Sequence, residues 1–275
     1  MPELCLGTVQ FGLPYGITNT SGQVADDEVQ QILRLAAESR IELLDTAQAY
    51  GTSETLLGRC WPSSSPRRLI SKLSADASPE SWEIEFQSSL ERLQASTLDG
   101  FLLHRPSDLL RADGDQLIDW LESLRDRGLV SRIGVSIYES FELDELPLDR
   151  LQLIQLPLSL YDQRLLQDGT VSQLKSLGIA IHARSIFLQG LILQAPEAWP
   201  VFLSQAFREH HTQCIGVLLQ HGLSLLEAAI GFARECQDLE AVLVGVLTAA
   251  ELRQITQVWQ KEWPAGLKPM SHWAW

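Results

Sequence analysis

Residues 68–104 read RLISKLSADASPESWEIEFQSSLERLQASTLDGFLLH, one complete unit of a pattern that runs along the chain. The stretch opens on a short apolar run, residues 68–72, and closes on another, residues 100–104. Runs of that length suit buried strands. Between them Trp82, Phe86, Leu90 and Leu93 recur at helical spacing and give one apolar stripe. Ser78-Pro79-Glu80 adds an N-cap hydroxyl, a proline for the first turn and an acid. A strand, a helix and a second strand form a βαβ unit, whose strands run parallel.

The same unit recurs on both sides. Further strands are expected at residues 4–9, 41–45, 131–135, 151–155, 179–184 and 241–246, which makes eight. Val29, Ile32, Leu33 and Ala36 mark one intervening helix, and Leu117, Ile118, Leu121 and Leu124 mark another. Thr248-x-x-Glu251 has the form of a capping box, and Gly128 and Gly178 stand where helices should stop. Apolar parallel strands need helices over them. Eight such units predict an α/β fold, a single-domain (β/α)8 TIM barrel over residues 1–275. A doubly wound sheet is the alternative, but no Gly-x-Gly-x-x-Gly follows the first strand. Residues 191–223 read as an extended loop over one barrel end, with a helical run near 201–211. The last dozen residues, with Pro264, Pro269, Trp273 and Trp275, read as an irregular tail.

The charge balance narrows the partners. Asp and Glu number 35 against 21 Lys and Arg, a net charge of −14. Nucleic acids and anionic membranes call for basic faces, so neither is expected as a partner. Hydrophobic residues make up 45% of the chain, enough apolar surface to exclude a disordered chain. No apolar run reaches the length that spans a bilayer, and Met1-Pro2-Glu3 carries no secretory signal. Cys5, Cys60, Cys214 and Cys236 are scattered and read as reduced thiols of a cytoplasmic protein. No His or Cys spacing suits a metal; the adjacent His210 and His211 do not converge on one ion. Nothing in the sequence specifies an oligomeric state.

In a barrel of this type the active site lies at the C-terminal ends of the strands. Asp45, Lys72 and His104 close three successive predicted strands, and Tyr50 follows in the loop after Asp45. Each has an ordinary structural explanation. A strand-end Asp caps a loop, a rim Lys snorkels to solvent, and a His or Tyr packs. Together they make a chemistry. A buried lysine needs a counter-charge, which Asp45 can supply. A free tyrosine has a pKa near ~10, and an adjacent ammonium is expected to lower it. Such a tyrosine can give its proton to a carbonyl oxygen while hydride reaches the carbon, with His104 bonded to the same oxygen. Two rival readings share these residues. One is an aldolase-like lyase with Lys72 as Schiff-base nucleophile, although a salt-bridged ammonium is a poor amine. The other is a non-catalytic nucleotide-sensing module.

With these residues placed, the sequence resembles the aldo-keto reductases over nearly its whole length. Leu6-Gly7-Thr8-Val9-Gln10-Phe11-Gly12 is similar to the family's first strand and following loop. Asp45-Thr46-Ala47-Gln48-Ala49-Tyr50-Gly51-x-x-Glu54, continuing to Gly58, is similar to its most diagnostic motif. Lys72 and Leu103-His104-Arg105-Pro106 follow at the family's usual distances. Gly134-Val135-Ser136 and Gln155 resemble the ends of strands five and six. The resemblance implies a tetrad: Tyr50 as proton donor, Lys72 as its activator, Asp45 as the partner of Lys72, and His104 as orienter of the carbonyl. It also implies a nicotinamide cofactor bound across the barrel mouth without a Rossmann domain, no metal, and a small-molecule carbonyl substrate (aldehyde, ketone or sugar) reduced reversibly.

The resemblance carries unevenly into the cofactor site. It assigns Ser136 and Gln155 to the nicotinamide carboxamide. Arg184 stands where many members place an aromatic residue against the nicotinamide, and Ser185 where a serine lies near the pyrophosphate. A guanidinium plane also stacks on rings. Gly245 opens the turn into a helix whose N-terminal N–H groups favour phosphate. The chain departs from the family at Ile137 and Ile255, where asparagines are common, and at Leu247, where a basic residue commonly holds the 2′-phosphate. Arg253 is the nearest basic substitute. The resemblance therefore favours NADPH, with NADH as the alternative. Phe11, Tyr15, Arg105, Tyr138, Tyr161 and the Trp273/Trp275 tail are candidates for the pocket mouth. Gly12-x-Pro14-Tyr15-Gly16 resembles bacterial members associated with saccharide metabolism.

Overall fold

A computed structural model describes residues 1–75, 77–261 and 274 of the chain. The prolines at 264 and 269 and the tryptophans at 273 and 275 lie outside the described residues.

The strands are β1 (Glu3–Gly7), β2 (Leu43–Asp45), β3 (Arg68–Leu73), β4 (Leu98–Leu103), β5 (Val130–Ser136), β6 (Leu153–Pro157), β7 (Ala180–Arg184) and β8 (Ala241–Gly245). They close into one barrel in sequence order, every neighbour parallel, with β8 returning to β1. The helices are α1 (Val9–Gly12), α2 (Asp26–Glu38), α3 (Ser53–Cys60), α4 (Trp82–Leu93), α5 (Gly114–Asp126), α6 (Arg164–Gln167), α7 (Thr170–Ser176), α8 (Gln205–Gln220), α9 (Leu225–Glu235) and α10 (Ala249–Trp259). The (β/α)8 barrel expected from the sequence is the observed fold.

Alternation along each strand divides the apolar residues into two sets. Leu44, Phe101, Leu103 and Ile154 belong to the large core between strands and helices. Cys5, Leu43, Ile70, Leu102, Leu153 and Leu243 form a separate small core, the filling of the barrel. Gly100 shows how full it is. A Cβ there would lie 2.7 Å from Ile70 Cδ1 and 3.3 Å from Leu153 Cδ2.

The same period sets the site. Counting up by two from the small core, Leu43 leads to Asp45, Ile70 to Lys72, Leu102 to His104, Leu153 to Gln155 and Leu243 to Gly245. Register pairs Gly7 with both Asp45 and Gly245, and Ser136 with Gln155. The inward faces of these seven strands thus finish on polar or side-chain-free positions at one mouth. At the other end, Arg68 pairs with Glu3, and Arg132 with Asp99 and Glu240.

Several local expectations move. Val9 begins α1 instead of ending the first strand. The fourth helix starts at Trp82, later than Ser78-Pro79-Glu80 suggests, because Ser78 and Ser81 close a separate turn (Ser81 N to Ser78 O, 2.9 Å). Thr248 Oγ1 accepts from Glu251 N at 3.1 Å, but the Glu251 carboxylate accepts from Leu247 N at 2.7 Å. The box is half made. Residues 191–223 are less loop-like than expected, since α8 spans Gln205–Gln220 in place of a run near 201–211. Gly128 and Gly178 do follow helix ends, at φ of 70° and 76°. All four cysteines are free. Among the described residues no single helix is long and apolar enough to cross a membrane.

Candidate active site

The loop carrying Tyr50 is held down by a close backbone approach. A Cβ on Gly12 would fall 1.7 Å from Tyr50 O, and one on Gly51 would fall 2.4 Å from Gly12 O. Gly51 also takes φ of 54°, in the left-handed region that glycine enters without strain. Neither position tolerates a side chain while the loop stays where it is.

Polar residues of the 45–54 motif fasten the rest. Ser53 Oγ donates to Thr8 O at 2.9 Å, and Thr8 Oγ1 donates to Asp45 O at 2.8 Å, joining α3 to β1 and β2. Glu54 is buried and accepts from Ser71 Oγ, Ser89 Oγ and Arg92 Nε. Gln48 Nε2 donates to Glu85 O at 3.1 Å, while its Oε1 accepts from Ser74 N at 2.8 Å. These side chains place Tyr50 without touching it.

At the centre, Lys72 Nζ donates to Asp45 Oδ1 at 2.7 Å, Asp45 Oδ2 at 2.8 Å and Thr46 O at 2.9 Å. All three ammonium protons are used. Gln155 Nε2 also donates to Asp45 Oδ2, at 2.8 Å. Lys72 and Asp45 are almost wholly buried, so the pair meets a large desolvation cost with three charge-assisted bonds. Burial opposes the Lys72 charge, but Asp45 and the Tyr50 side chain outweigh it, and the pKa lies above the ordinary lysine value.

Tyr50 lies above this pair, with Lys72 Nζ 5.3 Å from its ring centroid. His104 meets the Tyr50 ring edge-on, centroids 5.8 Å apart. The expected lowering of the Tyr50 pKa is overturned in this structure. Burial raises it, and the opposing pull of Lys72 and Arg184 does not bring it back. His104 is pushed down to about 4, by burial first and then by Lys72. At neutral pH Lys72 is therefore an ammonium, Tyr50 a neutral phenol and His104 a neutral imidazole.

A cavity of about 470 Å³ opens over these groups. It is lined at the tetrad by Asp45, Tyr50, Lys72 and His104, and elsewhere by Ser136, Gln155, Arg184, Ser185 and Gly245. Nine of the ten residues singled out from the sequence thus meet in one space. Arg253 is the exception: it is exposed on α10 and is not among the lining residues. Leu247 and Glu251 line the cavity there instead. The sequence reading assigns Glu251 to the helix cap and not to the cavity, because its place three residues after Thr248 is that of a capping-box acid. Gln155 differs from expectation too, since its amide nitrogen is held by Asp45.

Of the mouth candidates, Tyr15 and Tyr138 line the cavity, whereas Phe11 and Arg105 do not. Tyr161 is buried behind the wall, its hydroxyl 2.6 Å from His211 Nδ1. His211 Nε2 in turn lies 2.8 Å from Gln194 O, and Gln194 lines the cavity. Tyr161 supports the wall at second hand.

Comparison with known proteins places the chain. An aldo-keto reductase of Mycolicibacterium vanbaalenii is 33% identical over 132 residues, 46% of each chain. The chain thus spans about half the length of that relative. A glyoxal reductase of Bacillus subtilis is 28% identical over 217 residues, 74% of each chain. The structure of an aldo-keto reductase from Bacillus halodurans in its holo form superposes with a TM-score of 0.78 at 19% identity, covering 98% of this chain and 90% of that one. At that identity the superposition speaks for the fold alone. The family model for the aldo/keto reductases matches residues 3–265, and on that match the chain belongs to the aldo/keto reductase family.

Proposed function

We propose that the chain is a nicotinamide-dependent oxidoreductase that reversibly reduces a small aldehyde, ketone or sugar carbonyl, with Tyr50 as proton donor. The carrying observation is the Lys72–Asp45–Gln155 centre fixed beneath Tyr50 and His104 at one end of a cavity.

The residues present fit the cofactor. Gly7 and Gly245 pair in register, and the Gln10 side-chain amide lies where a side chain on Gly245 would be. Gln10 Oε1 is buried there without a partner, an acceptor awaiting a donor. At the start of α10, by contrast, Leu247 N donates to Glu251, Ala249 N to Glu28 Oε1 and Glu251 N to Thr248 Oγ1, so these N–H groups are already engaged. Ser136, Gln155, Arg184, Ser185 and Gly245 would hold the dinucleotide. When bound, it supplies the hydride that reaches the carbonyl carbon. Tyr50 donates its proton to the carbonyl oxygen, and neutral His104 donates a ring N–H to the same oxygen. Lys72 does not bond Tyr50; its charge stabilises the phenolate as the proton leaves. Burial keeps that proton on Tyr50 until substrate takes it.

For the cofactor's identity, the cavity favours NADH over the NADPH implied by resemblance. A 2′-phosphate would face the Glu251 carboxylate with Leu247 beside it, whereas a carboxylate suits a ribose 2′-hydroxyl. The Schiff-base alternative is disfavoured, because Lys72 has all its protons bonded and a raised pKa. The free thiols suit the cytoplasm.

The test is NADH oxidation by glyoxal, methylglyoxal and glyceraldehyde, followed against pH. Turnover of at least one is expected, with kcat/KM flat from about pH 5 to 8 and falling only where Tyr50 loses its proton, above about pH 10. The sign follows from His104, already neutral above about 4, and from Tyr50, which acts as an acid. An inflection near the ordinary histidine value would remove the assigned state of His104. Cofactor binding without turnover would favour the nucleotide-sensing alternative.

A further inference from the structure

Arg184 ends β7 and lines the cavity with Tyr50 and His104. Its bonds run only to neutral oxygens: Ile137 O at 2.9 Å, Ser136 Oγ at 3.3 Å and Ser185 Oγ at 3.4 Å. Its guanidinium carbon lies 4.0 Å from the centre of the Tyr138 ring. Among the described residues it has no carboxylate partner. Arg68, Arg92, Arg132, Arg150 and Arg164 each rest on an acid, whereas Arg67 and Arg208, which do not line the cavity, likewise bond only carbonyl oxygens. The other cation of the cavity, Lys72, is neutralised by Asp45. Glu251 also lines the cavity but bonds Leu247 N. One positive charge therefore remains uncompensated beside the reacting groups. Three hydrogen bonds and the Tyr138 face keep it from swinging out to solvent.

A fixed charge discriminates between ligands that differ in charge. Reduction of a carbonyl takes a hydride from the nicotinamide ring and a proton from Tyr50. The alcohol forms, and the ring is left with a positive charge that it lacked before. We propose that Arg184 sets the redox preference of this site: its unpaired guanidinium favours the uncharged reduced nicotinamide over the cationic oxidised ring, so the chain holds NADH more tightly than NAD+ and bound NADH gives up hydride less readily than free NADH. This rests on the reading of the cavity as a nicotinamide site. Arg184 also pulls down the Tyr50 and His104 pKa values, which shows that its field reaches the reacting groups.

The experiment is a set of binding titrations with NADH and NAD+, in the absence of substrate, on the wild type, Arg184→Gln and Arg184→Lys. For the wild type, NADH should bind at least ~10-fold more tightly, equivalent to raising the bound couple by about 30 mV. Arg184→Gln should shrink that ratio several-fold, mainly by tightening NAD+, and Arg184→Lys should preserve it because the charge remains. A wild-type ratio at or below unity overturns the proposal without any variant. So does a ratio in Arg184→Gln equal to that of the wild type, with both affinities falling together; Arg184 would then serve a phosphate. If neither nucleotide binds the wild type, the nicotinamide reading itself fails, an outcome distinct from an unaltered ratio.

Discussion

Tyr50→Phe should lose at least ~10²-fold in kcat, and up to ~10⁴-fold, while NADH affinity stays within a few-fold. The change removes one hydroxyl and little else. The ring keeps its place over Lys72 and its edge contact with His104. The loop beneath it is fixed by the approach of Gly12 to the Tyr50 carbonyl, which phenylalanine does not alter. Proton donation should therefore vanish with the cavity intact, and the defect should appear in kcat and kcat/KM together. Steady-state rates with the best carbonyl of the panel, alongside an NADH titration, separate the two effects. Turnover within ~3-fold of the wild type would move the proton donor to another group, with His104 the nearest.

Glu251→Arg should reverse the nucleotide preference. In the wild type a carboxylate lines the cavity where basic side chains are absent, and Leu247 offers no charge. A guanidinium in its place would exchange repulsion for a charge-assisted bond to the 2′-phosphate. One such bond is worth about 1.5–3 kcal/mol, so the NADPH/NADH affinity ratio should rise by roughly 10- to 100-fold or more. Arg253→Ala is the control: the exposed Arg253 lies outside the cavity lining, and its loss should leave the ratio nearly unchanged. Selective loss of NADPH in Arg253→Ala would restore that arginine as the phosphate ligand and remove Glu251 from the account.

The barrel is legible in the sequence because two periods coexist in it. Leu43 and Asp45, or Leu102 and His104, alternate as a strand requires, and Trp82, Phe86, Leu90 and Leu93 repeat as a helix requires. Carrying the strand period to the end of each run is what brings Asp45, Lys72 and His104 to one mouth. Elements defined by local competition are less legible. Ser78-Pro79-Glu80 carries every helix-start signal, yet Ser78 and Ser81 close their own turn first. Tyr161 reads as a mouth aromatic because a sequence shows its chemistry but not its depth; His211, fifty residues away, takes its hydroxyl into the wall. The Tyr50 pKa fails for the same reason. The ammonium that lowers it is visible in the sequence, and the burial that raises it is not. Glu251 and Arg253 lie on one helix, and only the helix's rotation against β8 decides which of them the cavity sees.

The proposed function places a nicotinamide site in the space above Asp45, Tyr50, Lys72 and His104. A calorimetric titration of the wild-type chain with NADH, and separately with NADPH, tests it without knowledge of the substrate. One NADH per chain should bind with a micromolar or lower Kd, and NADPH should bind more weakly. Absence of binding by both nucleotides up to millimolar concentration would contradict it.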